Sequence, residues 1–151
     1  MADSIKARGI LNIDHITKGE VNSYYVPNTV VTLGKALIAK AIVSGTYASA
    51  DPIRYMAIGT GSSTIAAADT TLDTEYLRFT TTGSTTTTST TNDTSRWIGS
   101  FAVDATQTVN EAGLFNASGV DLGSMLSRTT FADISAISGD QINITWKVDF
   151  S

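Results

Sequence analysis

Apolar and polar residues alternate most regularly near the end of the chain. Over residues 141–150, Ile142, Ile144, Trp146, Val148 and Phe150 alternate with Asn143, Thr145, Lys147 and Asp149. Strict period-two alternation over that length predicts a strand with one buried and one wet face. Gly139-Asp140 marks the turn before it. Residues 8–16 follow the same rule, with Leu11, Ile13 and His15 on one face and Asn12 and Asp14 on the other. Thr17-Lys18-Gly19-Glu20 reads as a turn and residues 21–26 as a returning strand that Pro27 stops. An isolated hairpin is too small to be stable. Residues 1–27 are therefore expected to form an extended N-terminal arm, packed on the domain or on another subunit, ahead of a β-rich globular domain over residues 28–151. Deleting the arm is expected to leave that domain folded.

The period changes once. Val30, Gly34, Leu37, Ile38, Ala41 and Ile42 fall on one stripe at helical spacing, while Lys35 and Lys40 avoid it. This predicts a helix over residues 29–44, with Asn28 as N-cap and Gly45 just past its end, covering one face of a sheet. Further strands are predicted over residues 53–59, 76–82, 96–103, 109–115 and 125–131. Residues 62–75 read as a long loop. The threonine-dominated tract between Thr82 and Arg96 reads as two hairpin strands with an exposed tip, because β-branched threonine favours extended backbone. The expected fold is mainly β: a β-sandwich-like antiparallel domain with one covering α-helix.

Composition narrows the chemistry. At 151 residues the chain is one domain as a prior. Only 16% of it is charged, so its surface is built largely from Thr, Ser, Asn and Gly. A net charge of −4 argues against binding nucleic-acid phosphates. With no cysteine and a single histidine, disulfides, thiolate catalysis and Cys- or His-based metal sites are excluded. The N-terminus lacks the apolar run of a signal peptide, and the apolar stretch over residues 33–43 is interrupted by Gly34, Lys35 and Lys40. No membrane association is expected, and synthesis is expected in the cytoplasm.

Enzyme signatures fail one by one. Gly59-Thr60-Gly61 lacks the Gly-Lys-Ser/Thr ending of a phosphate loop and reads as a tight strand-to-loop corner. His15 lacks an orienting carboxylate, since Asp14 points to the opposite face, and reads as a half-buried strand histidine. Asp69, Asp73 and Glu75 lack the spacing of a calcium loop and read as a solvated acidic loop. Trp97 and Trp146 suit a sugar-stacking platform, but both sit on the apolar side of their strands and read as core. No catalytic residue, cofactor or metal site is expected, and the chain reads as a non-enzymatic interaction protein.

The order of a helix, Tyr55-Met56-Ala57-Ile58-Gly59-Thr60-Gly61, Asp69-Thr70-Thr71-Leu72-Asp73-Thr74-Glu75 and Asn110-Glu111-Ala112-Gly113-Leu114-Phe115-Asn116 resembles small structural proteins of tailed bacteriophages. It is similar in layout to the domain that joins phage tail fibres to the tail or baseplate. Gly119 and then Ser127-Arg128-Thr129-Thr130-Phe131 follow in the order of that pattern, which spans about residues 28–150. The resemblance implies a virion protein bound to other virion proteins, a homo-oligomer with a trimer among its expected states. It places structural or interaction roles on Gly59, Gly61, Glu111, Gly113, Leu114, Phe115 and Arg128. Tail fibres continue into a trimeric shaft, whereas this sequence reads to Ser151 and carries residues 1–27 in addition. These departures favour a capsid decoration (cement) protein over a tail fibre or baseplate attachment protein, with a carbohydrate-binding module third. Within the pattern, Glu111 is expected to pair with Arg128 or Arg78 across the sheet, and Leu114 and Phe115 to point to opposite faces.

Overall fold

In the computed structural model, which describes residues 6–44 and 52–150, strands dominate. They are β1 (Ala7–Thr17), β2 (Glu20–Val30), β3 (Tyr55–Gly59), β4 (Glu75–Thr80), β5 (Thr82–Thr86), β6 (Thr94–Ala102), β7 (Gln107–Phe115), β8 (Met125–Ala136) and β9 (Gln141–Phe150), with one helix, α1 (Thr32–Ser44). All pairings are antiparallel, in the order β4-β3-β7-β8-β2-β1-β9-β6-β5. The row of strands bends into two layers. The front sheet is β2-β1-β9-β6-β5 and the back sheet is β4-β3-β7-β8, which meets the end of β2 through Thr29 and Val30. The strands at the two ends of the row, β4 and β5, are consecutive in sequence. Thr81 between them donates its amide to Arg54 O and its hydroxyl to Ile98 O, so one extended segment leaves the back sheet and enters the front one. The sheet is thereby nearly closed.

The core lies between the layers. Leu11 and Ile13 from β1, Ile142, Ile144, Trp146 and Val148 from β9, and Trp97 and Phe101 from β6 face Met56, Ile58, Ala112, Leu114, Leu126 and Ile134 from the back sheet. Trp97 is paired directly with Trp146, and Met56 packs over Gly99, where a side chain would meet its sulfur. Both tryptophans are core residues, and Trp97 Nε1 donates to Ile53 O at 3.1 Å.

The hairpin at the N-terminus forms. Lys18 and Gly19 both adopt left-handed backbone, at φ 50° and 84°, which gives the two-residue turn whose twist matches its flanking strands. It is not an arm, however. β1 runs down the middle of the front sheet between β2 and β9, with Leu11 and Ile13 fully buried, so a boundary at residue 27 cuts through a strand. Pro27 does not stop β2. Counting from the hydrogen-bonded pair Thr17↔Glu20 that closes the turn, Pro27↔Ile10 is a non-hydrogen-bonded pair, so the missing N–H takes nothing from the β1–β2 ladder.

The helix starts later than its stripe. Thr29 and Val30 belong to β2, and Asn28 is a strand residue whose amide donates to Ser127 Oγ rather than an N-cap. Thr32 N donates instead to Ala67 O at 2.7 Å, and Lys35 N closes the first turn on Val31 O. Gly34 lies on the β8 backbone, where a side chain would collide with Leu126 O. The helix covers β8 only by its first turns: Ala41 is exposed and Ile42 is 78% exposed. Gly45 lies outside the described residues. The threonine tract forms the β5–β6 hairpin, but the predicted strand over residues 76–82 divides at Thr81, β4 pairing with β3 and β5 with β6.

Candidate functional site

The densest polar constellation lies on the outer face of the back sheet, and a fault in β7 creates it. The register with β8 shifts between Val109 and Glu111, where Asn110 alone stands opposite residues 131–133 of β8. Val109, Ala112 and Leu114 face the core, so the facing of β7 changes parity across this irregularity, and Glu111, Gly113 and Phe115 turn outward. There residues 60–74 cover them. Leu72, Phe115, Met125, Val31 and Ala57 form a second apolar cluster beneath this loop, which leaves β7 buried on both faces from Val109 to Phe115.

Glu111 is fully buried and spends both carboxylate oxygens inside the molecule. Its Oε1 accepts from Gly61 N at 3.0 Å and Thr74 N at 2.8 Å; its Oε2 accepts from Asp73 N at 3.0 Å and from Arg128 Nε and an Arg128 terminal nitrogen at 3.2 and 2.9 Å. The other terminal nitrogen of Arg128 reaches Asp69 Oδ2 at 2.7 Å, and the guanidinium also donates to Ser63 Oγ at 3.1 Å. Asp69 accepts from Ala66 N, and Asp73 from Ser63 N. Burial works to raise the Asp69 pKa, but the Ala66 N–H and the Arg128 guanidinium outweigh it and hold the carboxyl below its ordinary value. Burial works to lower the Arg128 pKa, and bonds to Asp69 and Glu111 push it up instead.

These contacts explain the glycines. A Cβ on Gly59 would meet Thr74 O at 2.5 Å and Glu111 Oε1 at 2.6 Å, and one on Gly61 would meet Glu111 Oε1 at 2.5 Å. The Gly-Thr-Gly corner cradles an internal carboxylate. Gly113 leaves room for Leu72 and the Phe115 ring. Arg128 is thus the partner of Glu111, and Arg78 has another task. It forms a two-pronged pair with Glu75 at 2.6 and 2.7 Å, lies over the Phe115 ring at 3.8 Å, and donates to Ala117 O and Leu122 O in the β7–β8 connection. Six of the seven residues singled out in the sequence fall on this sheet and Gly61 lies in the loop over it: Gly59, Gly61, Glu111, Gly113, Phe115 and Arg128 meet on its outer side, and Leu114 points into the core. The loop carrying Asp69, Asp73 and Glu75 is not a solvated acidic stretch, since Asp69 and Glu75 are ion-paired and Asp73 binds the loop to itself.

Sequence reasoning missed the partner of His15. Asp140, 125 residues away, lies 2.9 Å from its Nε2, and both are buried. The Asp140 carboxylate also accepts from Ile137 N; that bond, and the contact with His15, hold its pKa below the ordinary value against the effect of desolvation. The Gly139-Asp140 turn signal was the only trace of this pair in the sequence. Among the described residues, no group of three or more His, Asp or Glu side chains is placed to hold a metal ion, and no helix is long and apolar enough to cross a membrane. No protein-family model, curated protein or solved structure matches the chain.

Proposed function

We propose that this chain is a non-enzymatic structural component of a tailed-phage virion, a capsid decoration protein that stabilises the particle through protein–protein contacts. One observation carries the reading. The strings that resemble phage structural proteins, separated by up to fifty residues, converge on the single carboxylate of Glu111. They form one connected unit, and its polar groups are spent on fastening a loop, which leaves no free nucleophile or base at its centre. The front sheet supports the same reading. Its outer face, uncovered among the described residues and rich in Thr, Ser and Asn across five strands, offers hydrogen-bonding groups at a lower desolvation cost than charges.

Attachment of a fibre to the tail or baseplate is the second reading, favoured by the order of the motifs. Copy number separates the two. Quantitative mass spectrometry of purified particles is expected to find this chain at on the order of hundreds of copies per particle for a lattice-wide decoration; on the order of tens places it in the tail. Absence from particles overturns both.

A further inference from the structure

β2 carries an open edge. Only Thr29 and Val30 pair with β8, so from Glu20 to Asn28 the strand has β1 on one side and, among the described residues, no strand on the other. The two-residue turn fixes which groups are free. Glu20, Asn22, Tyr24, Val26 and Asn28 face β1, so the N–H and C=O groups of Val21, Ser23 and Tyr25 point outward from the sheet edge. Val31 N, which donates to Leu126 O, follows the same odd-numbered parity at the far end. Beyond Tyr25 the edge closes: Pro27 has no N–H, its carbonyl accepts from Thr129 Oγ1, and Thr29 O accepts from Ser127 Oγ. The side chains along the open stretch are unusually apolar for an edge, Tyr25 being 72% and Val21 58% exposed, and Ile10 beside them is also exposed.

We infer that this edge pairs with the same edge of a second copy, β2 against β2 in antiparallel register about a two-fold axis at Ser23, to join the two front sheets. The occupant follows from self-complementarity, since a two-fold contact must present one surface to itself. In this register Val21 faces Tyr25 of the second copy, Ser23 faces Ser23, and each of these pairs exchanges both backbone hydrogen bonds. The exposed valine and tyrosine then cover each other. Pro27 falls opposite Gly19, outside the ladder, so the residue that cannot donate stands where no donor is needed. The inference does not depend on the virion reading.

Sedimentation equilibrium of the full chain is expected to show a reversible monomer–dimer system. The register predicts a charge swap. V21K/Y25K sets lysine against lysine at both ends of the ladder and should weaken dimerisation about tenfold or more, whereas V21K/Y25E sets lysine against glutamate and should hold it within about threefold of the parent. The chain has no cysteine, so Ser23→Cys is a unique reporter. Facing Cα atoms about 5.5 Å apart would allow a symmetric disulfide under mild oxidation, and Ser84→Cys on β5 should not form one. If circular dichroism shows a lysine variant unfolded, the Ser23→Cys result decides. A monomer at all concentrations, a trimer, a dimer indifferent to V21K/Y25K, or equal cross-linking from positions 23 and 84 would each overturn the inference.

Discussion

The two sheets share a core and differ on their outer faces. Among the described residues the front sheet is bare: along β9 buried and more accessible residues alternate, and Asn143, Thr145 and Lys147 meet solvent. The back sheet is roofed by residues 60–74 and the start of α1, and β7 is buried without a break from Val109 onward. The same residue types then do different work. Arg96 and Lys147 are surface cations on adjacent strands, whereas Arg128 is buried against two carboxylates and a hydroxyl. A cover converts charges from solubilising groups into fasteners. It also makes their loss costly, because a buried ion without its partner keeps its desolvation penalty.

That contrast can be broken from either side. Deleting residues 1–27 removes β1 and most of β2, two of the five strands of the front sheet, and it should abolish the cooperative thermal transition; a truncated chain that melts cooperatively near the parent temperature would restore the separate arm. Glu111→Ala strips the roof of its anchor and leaves Arg128 half-paired, and it should cost about 3–5 kcal/mol in denaturant titration. Glu111→Gln should also destabilise; an unchanged midpoint would remove the charge from the account. Gly61→Ala forces a methyl against the same carboxylate and should cost about 1–3 kcal/mol.

Acid should act on the roof as well. The Asp69 carboxyl sits below its ordinary 3.8 in the folded state, so its contribution is whole above that value and is lost as pH falls through the folded pKa. Melting temperature should therefore be flat near neutrality and decline below about pH 4, and Asp69→Asn should flatten part of the decline. Asp93, held well below the usual carboxylate range by the backbone N–H groups of Thr90, Thr88 and Ser89, follows the same sign, but it ties only the β5–β6 tip. Its protonation should register there in amide exchange. The smallest effect belongs to the bare face, where Thr145→Ala should move stability by no more than about 0.5 kcal/mol.

How much of this was legible depended on the cover. β9 and β1 were plain in the sequence because one wet face leaves a period-two trace. Asn110-Glu111-Ala112-Gly113-Leu114-Phe115 carries no such trace, since the register shift with β8 breaks the parity and a loop buries the outer side; only the resemblance singled it out. Pairing Glu111 with Arg128 was foreseen as one of two options, but the amides of Gly61, Asp73 and Thr74 were not, because backbone donors leave no mark on composition. Pro27 was misread because sequence gives its missing donor and not which side of the strand lacks a partner. The stripe on α1 continues past the point where the helix leaves β8, so periodicity overstated its contact. His15 and Asp140 meet only through the pairing of the first and last strands.

That pairing also constrains how the chain reaches its native state. Ala7 lies beside Phe150, and β1 and β9 adjoin over their full common length. β1 is thus made well before the strand it pairs with, and Leu11 and Ile13 lack their neighbours Trp146 and Ile144 until β9 emerges. Folding through so distant a closure belongs on the scale of milliseconds to seconds rather than microseconds, and in that interval the nascent hairpin is the segment most exposed to capture by a chaperone or by another growing chain.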